Sequence, residues 1–244
     1  MFADTLSAAA RLARADAVLL DFDGPICSLF AGYPAGPVAR ELRERLQRDG
    51  VALPPGLAQG DDPHALLAGF TEARRKQGES EAGTQLVAGR LNDWLAAAEL
   101  EAVASAEETP GALEALEALV DASRAVAIVS NNAAAAVVGY LRGRTSVAEP
   151  LAPRVFGRLP DPALMKPDPT LLRSALAALD VAPGRAVLIG DAVTDAEAAD
   201  RAGVGFIGFA GGSERRRKRL VDVGVADAHV VDKWSDLGVL SVRQ

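Results

Sequence analysis

The sequence predicts an α/β fold, a doubly wound parallel sheet with a helical block inserted after its first strand. Three observations carry this. The run Ala17, Val18, Leu19, Leu20 is apolar at every position, as a strand covered on both faces is expected to be. From residue 111 to residue 231, helix-type and strand-type segments alternate, the pattern of parallel strands joined by crossover helices. Between residues 38 and 108 no strand-type segment appears.

The elements follow in chain order. Residues 4–15 read as a short helix and residues 17–22 as the first strand, which ends in Asp21-Phe22-Asp23-Gly24. Gly24 permits a sharp exit and Pro25 suits a first helical turn. Residues 30–37, FAGYPAGP, are rich in breakers and read as a hinge. A charged amphipathic helix covers 38–48. Asp62-Pro63 supplies a cap and first residue for a helix to about 69, continued through Arg74, Arg75 and Lys76, and another helix spans 82–104. Thr109-Pro110-Gly111 opens a helix over 111–122. Strands then fall at 125–130, 154–158, 185–190, 204–209 and 228–231, with helices at 132–142, 169–179, 193–202 and 214–223 between them. Residues 34–108 therefore divide the chain into a core, 1–33 with 109–244, and an inserted helical block.

Composition narrows the function classes. A chain of 244 residues with 49% apolar residues buries a sizeable core. A net charge of -7 disfavours general binding to nucleic acid or anionic membrane. The single cysteine, Cys27, excludes an intramolecular disulfide and a cysteine zinc site. The residues MFADTLSAAARLARAD lack the apolar core of a secretory signal, and no run approaches the ~18 apolar residues of a membrane span. A cytoplasmic protein, monomeric or a small homo-oligomer, is the expectation.

Four strand ends carry chemistry. Asp21 and Asp23 lie where ligands bind in open α/β sheets, outside the carboxyl ends of the strands. One can act as nucleophile or metal ligand, the other as general acid or base. Ser130-Asn131-Asn132 offers a hydroxyl and fresh backbone amides, an anion seat or a plain helix cap. Lys166, one of four lysines, sits in the stiff turn Met165-Lys166-Pro167-Asp168-Pro169. Asp191 and Asp195, four residues apart, are expected on one side of an emerging helix. Four carboxylates in one place repel unless a cation neutralises them, and all-oxygen ligation suits Mg²⁺.

The motifs DFDG (21–24), VSNN (129–132), LMKPDP (164–169) and GDAVTD (190–195) stand in the order of the haloacid dehalogenase-like superfamily. The chain resembles its phosphatase branch with a helical cap, the group of phosphoglycolate phosphatase-like and beta-phosphoglucomutase-like proteins. The resemblance implies a Rossmann-like sheet with strand order 3-2-1-4-5-6 and a cap at 34–108. It implies Asp21 as the nucleophile and Asp23 as the general acid and base, with Lys166 as the charge-offsetting cation. Ser130, Asn131 and Gly24 would seat the phosphate. Asp21, Asp23 (through its carbonyl), Asp191 and Asp195 would serve a Mg²⁺ site.

The activity so implied is Mg²⁺-dependent hydrolysis of a small phosphorylated metabolite through an aspartyl-phosphate. A phosphomutase shares the whole motif set. A phosphate- or partner-binding module without turnover is the reading from another class. Its support is Pro25, where the family usually has threonine or valine and so a backbone donor. In the block 34–108, His64, Arg74 and Arg75 are the candidates to meet substrate, against a solvated helix face. The basic run Arg215 to Arg219 reads as a solvated helix end, and His229 as structural.

Overall fold

The structure, a computed structural model, describes residues 6–53, 55–57, 59–122 and 124–239. In chain order its elements are α1 (Ala8–Arg14), β1 (Ala17–Leu20), β2 (Cys27–Ser28), α2 (Ala35–Arg48), α3 (Pro63–Lys76), α4 (Glu81–Ala102), β3 (Glu107–Glu108), α5 (Ala112–Asp121), β4 (Ala125–Val129), α6 (Ala134–Leu141), α7 (Ala148–Leu151), β5 (Val155–Phe156), α8 (Thr170–Leu179), β6 (Ala186–Gly190), α9 (Val193–Ala202), β7 (Gly205–Phe209), α10 (Glu214–Asp222) and β8 (Val230–Val231). Part of the helix expected over 4–15, residues 4 and 5, lies outside the described residues.

Six strands form one parallel sheet in the order β5-β4-β1-β6-β7-β8. Numbered along the chain within that sheet, this is the expected 3-2-1-4-5-6. β1 is central, with Leu20 paired to Ile128 of β4 and Ile189 of β6. All four β1 residues are buried, because helices cover both faces. Val18 and Leu20 join Ile128, Ile189 and Leu116 on one side. Ala17 and Leu19 join Val129, Leu188 and Leu172 on the other. The order reverses between β1 and β6, so a crevice opens there at the carboxyl ends of the strands.

Helices α2, α3 and α4 bury a hydrophobic cluster of their own: Val38, Leu42 and Leu46, then Leu66, Leu67 and Phe70, then Leu91, Leu95 and Ala98. The three- and four-residue spacings put each set on one helix face. Asp62 caps α3 by accepting from the amides of His64 and Ala65, and Ser80 caps α4 by accepting from Gly83. α4 is 22 residues long. Its Ala98 packs in the helical cluster, and Ala102 one turn later packs in the sheet's core. Phe30 and Tyr33 pack against both clusters.

Two expectations are corrected here. A strand does occur in the inserted block: Glu107–Glu108 pairs antiparallel with Cys27–Ser28, where the chain leaves and re-enters the core. Two-residue strands carry no readable alternation. Helix α2 also begins at Ala35, not Val38. Pro34 and Pro37 fall at its N-cap and third residue, in the first turn, where a missing N–H costs nothing. Among the described residues no helix is long and apolar enough to cross a membrane.

Candidate active site

The site forms where β1, β4 and β6 end. Asp21 continues the β1 pairing through its amide to the Ile189 carbonyl at 2.9 Å. Its Oδ1 accepts from the Phe22 amide at 2.7 Å and lies 2.8 Å from Lys166 Nζ. Burial lifts the Asp21 carboxyl well above the usual range; Asp195 adds to the rise and Lys166 opposes it. Asp23 turns the other way, and its Oδ1 accepts from the Leu29 amide at 2.9 Å. Burial raises Asp23 as well, against the pull of that amide, of His64 and of Arg216. An acid that keeps its proton to higher pH suits proton donation.

Lys166 is buried and holds three partners. Nζ lies 2.8 Å from Asp21 Oδ1 and 2.6 Å from Asp195 Oδ1, and donates to the Val129 carbonyl at 3.0 Å. Burial alone would lower its pKa, but the two carboxylates outweigh that and raise it, so the ammonium stays charged. Asn131 fixes its backbone from β4: its Oδ1 accepts from the Lys166 amide at 2.8 Å and its Nδ2 donates to the Lys166 carbonyl at 3.1 Å. Asp168 then accepts from the Thr170 amide at 2.9 Å, at the start of α8.

Asp191 and Asp195 follow β6, but not as two residues of one helix face. Asp191 sits in the turn before α9, and Asp195 is in the first turn of that helix. Asp195 Oδ2 folds back to accept from the Ala192 amide at 3.0 Å, which closes the turn. Two glycines allow the crowding. Gly24 has φ +106°, and a Cβ on it would lie 2.4 Å from Asp191 Cγ. A Cβ on Gly190 would lie 2.6 Å from Asp195 Oδ2.

One carboxylate oxygen from each of Asp21, Asp191 and Asp195 lies within 4.8 Å of the others, an arrangement that can hold a metal ion. Burial and the nearby Asp195 push Asp191 up to about 7. Against these acids and Asp23, the adjacent cations are Lys166 and Arg216. The hard oxygen donors and the uncompensated negative charge both fit a divalent cation such as Mg²⁺.

The Ser130 hydroxyl donates to Asn132 Oδ1 at 3.0 Å and accepts from the Asn132 amide at 3.2 Å. The loop closes on the segment after β5, where Arg158 donates its amide to the Asn132 carbonyl at 2.8 Å. Thus Asp21, Asp23, Gly24, Ser130, Asn131, Lys166, Asp191 and Asp195 all come together in one crevice.

Of the three candidates in the helical block, only His64 reaches the site. Its Nε2 lies 2.8 Å from Glu99 Oε1 and 3.5 Å from Asn132 Nδ2. Arg74 instead pairs with Glu79 and covers the Phe70 ring, and Arg75 bridges Glu81 and Asp161. Both arginines turn away from the site to partners mostly near in the chain: Glu79 and Phe70 for Arg74, and Glu81 for Arg75, with Asp161 the one distant partner.

The sequence reading missed Glu99 and Arg158, and named Asn132 only as part of the turn after β4. Glu99 is fully buried, and Arg158 nearly so. Arg158 Nη1 and Nη2 donate to Glu99 Oε1 and Oε2 at 2.7 and 3.1 Å. The Ala133 amide adds a bond to Oε2 at 2.8 Å, and Arg158 Nε donates to Asn92 Oδ1 at 2.6 Å. Burial alone would raise Glu99, but His64 and Arg158 hold it down to about 2. The network ties α3 and α4 to the Ser130 loop. One acid among the four of α4 gave no signal of it.

Arg216 corrects the reading of the basic run. Its Nε lies 3.0 Å from Asp191 Oδ2, and Nη1 donates to the Ala210 carbonyl at 2.9 Å. His229 is structural as expected, with Nε2 2.8 Å from the Leu6 carbonyl. Cys27 is buried, and burial raises its thiol, so no thiolate forms there at neutral pH. Pro25 adds a support of its own: its carbonyl accepts from the buried Trp234 Nε1 at 2.9 Å. Thr109 Oγ1 donates to the Gly24 carbonyl at 2.6 Å.

Comparison with known proteins agrees with this geometry. Residues 15–203 match the haloacid dehalogenase-like hydrolase family. No curated protein matches the chain in sequence. Solved structures with the same fold include a HAD family hydrolase from Deinococcus radiodurans with bound phosphate and sodium, 25% identical over 92% of this chain and 94% of that one, TM-score 0.57. CbbY from Rhodobacter sphaeroides in complex with phosphate is 20% identical over 93% and 100%, TM-score 0.58. A predicted phosphatase from Clostridium acetobutylicum is 17% identical over 93% and 99%, TM-score 0.62. With four motifs converging at the strand ends and the family match running through most of the sheet, this chain belongs to the haloacid dehalogenase-like hydrolases.

Proposed function

We propose that this enzyme hydrolyses a small phosphate monoester through a phospho-Asp21 intermediate, with Mg²⁺ as its cofactor. The observation that carries the reading is the convergence of Asp21, Lys166 and the Asp191–Asp195 pair at one crevice of the sheet. An Asp21 oxygen attacks phosphorus while Asp23 protonates the leaving oxygen. Asp23 then takes a proton from the water that cleaves the acyl phosphate. Lys166 offsets charge on Asp21 and on the phosphoryl oxygens. Ser130 and the Asn131 amide receive the phosphoryl group. When bound at Asp21, the Asp23 carbonyl, Asp191 and Asp195, Mg²⁺ supplies Lewis-acid neutralisation of the transferring phosphoryl group.

Residues 34–108 serve as a cap over the core formed by 1–33 and 109–244. Two features support this: the separate hydrophobic cluster of α2 to α4, and His64 reaching toward Asn132. Closure of such a cap excludes water from the phosphoryl group.

The test is phosphate release from a panel of sugar phosphates, phosphoglycolate, nucleotides and an aryl phosphate, with Mg²⁺ and with chelator. Release that needs Mg²⁺ is expected; release unaffected by chelator rejects the metal assignment. Asp23→Ala should slow turnover by roughly a hundred- to ten-thousand-fold. Rapid quench should then find phosphate bound to protein, and its absence with full turnover removes Asp23 from the mechanism.

Arg216 shares Asp191 with the cation site. Arg216→Ala should therefore tighten Mg²⁺ binding by roughly two- to ten-fold, since one competing positive charge is gone. Calorimetry of the unliganded protein reads this directly, and an unchanged or weaker affinity shows that Arg216 does not compete.

A further inference from the structure

Beside Asp191, on the α10 side, lies a cleft of about 470 Å³ that the chemistry above does not use. It is lined by Asp62, Asp191, Thr194, Ser213 and the arginines Arg215, Arg216 and Arg219, among others. Arg216 is committed to Asp191 and the Ala210 carbonyl. Arg215 and Arg219 are not committed. Both are exposed, and among the described residues neither side chain has a hydrogen bond or ion pair. The other cations of α10 are engaged: Arg217 with Asp227 and Asp232, and Lys218 with Asp222.

Arg215 and Arg219 stand one helical turn apart on the same face, where like charges repel. An anion between them removes that penalty. The Ser213 and Thr194 hydroxyls line the same space. Its two carboxylates are outnumbered by its three arginines; Asp191 pairs with Arg216, and Asp62 accepts from the amides of His64 and Ala65. A planar guanidinium fork matches phosphate or carboxylate oxygens in pairs. In a chain of net charge -7, this is a local reversal of sign next to the catalytic carboxylates.

We infer that the cleft binds a second anionic group, phosphate or carboxylate, on the same substrate whose phosphoryl group sits at Asp21. This rests on the phosphatase reading for the position of the first phosphate. The reading selects substrates with two anionic ends over simple monoesters.

The test measures binding, not turnover. The Asp21→Asn protein with Mg²⁺ is titrated with fructose 1,6-bisphosphate against fructose 6-phosphate, and with 3-phosphoglycerate against glycerol 3-phosphate. In at least one pair the ligand with the second anion should bind roughly ten-fold tighter. The pair that shows the preference identifies phosphate or carboxylate. Arg215→Ala with Arg219→Ala should bring that ratio to within about two-fold of unity. Lys218→Ala, which removes one charge from the same helix away from the cleft, should leave the ratio intact. No preference in either pair, no measurable binding of any of the four, or a preference that survives the double substitution overturns the inference. The phosphatase reading fails by a different sign. If the unsubstituted chain releases no phosphate from any ester while the ratio and its loss persist, the anion site stands and the hydrolysis does not.

Discussion

Asp21→Asn abolishes phosphate release, lowering kcat by roughly a thousand-fold or more. The amide keeps the shape of the carboxyl, so the bond to the Phe22 amide and the sheet pairing to Ile189 are retained. What is lost is the attacking oxygen and the negative charge that faces Lys166 at 2.8 Å. Three measurements check this. Steady-state phosphate release should fall to background, and no acid-stable protein-bound phosphate should form. Circular dichroism should show an unchanged fold. The variant should be at least as stable as the parent, because burial and Asp195 already disfavour a charge at Asp21. A variant that still turns over at a tenth of the parental rate would exclude Asp21 as the nucleophile.

Glu99→Gln carries the largest expected cost in stability, roughly 3–5 kcal/mol by chemical denaturation. The substitution removes the buried charge that neutralises Arg158. It leaves a guanidinium with a side-chain exposure of 1% facing neutral acceptors only: the remaining side-chain oxygen at position 99, Asn92 and the Asn131 carbonyl. Replacing both partners with methionine should recover most of the loss, since apolar groups of similar volume often replace a buried pair without penalty.

The pH dependence has a definite sign. Glu99 is held at about 2 in the fold against an ordinary value of 4.5. Its contribution is fully present above about 4.5 and is lost as the pH falls toward 2. The groups facing it are His64, Arg158 and, farther off, Asp23. Glu99→Gln should therefore flatten the acid limb of the stability curve. An acid limb identical to that of the parent would mean that the pair contributes nothing net. Because the same network grips Asn132 and the Ala133 amide, Glu99→Gln should also raise KM at neutral pH.

The sequence carried the sheet because strand burial is written locally. Ala17 to Leu20, Val126 to Val129 and Val187 to Ile189 are apolar at every position. No tertiary information is needed to see that both faces are covered. Strand order came from resemblance, since nothing local in Val155–Phe156 or Val230–Val231 says which edge each occupies. The inserted helices were legible for the same local reason: Val38, Leu42 and Leu46 repeat at a helical period. The two-residue strand Glu107–Glu108 was not, because its pairing to Cys27–Ser28 is fixed by closing the block on the core, not by its own residues.

The site divides along the same line. Asp21, Asp23, Ser130, Lys166 and Asp191 each stand at a strand end or a stiff turn, and Asp195 stands in the first turn of α9. The sequence by itself therefore marked the acids and the lysine as groups at strand ends and turns; that they meet in one crevice follows from the strand order, which came from the resemblance. The sequence could not determine the company they keep. Glu99 and Arg158 are 59 residues apart, and His64 and Asn132 are 68 apart. Arg216 sits in a run of basic residues that looks the same at every position. A charge in a sequence has no sign of its partner. Whether it is solvated, paired across two structural units or left facing a cleft, as Arg215 and Arg219 are, depends on which distant backbone the fold brings within about 3 Å, the reach of a charge-assisted hydrogen bond. That distance belongs to the tertiary structure alone.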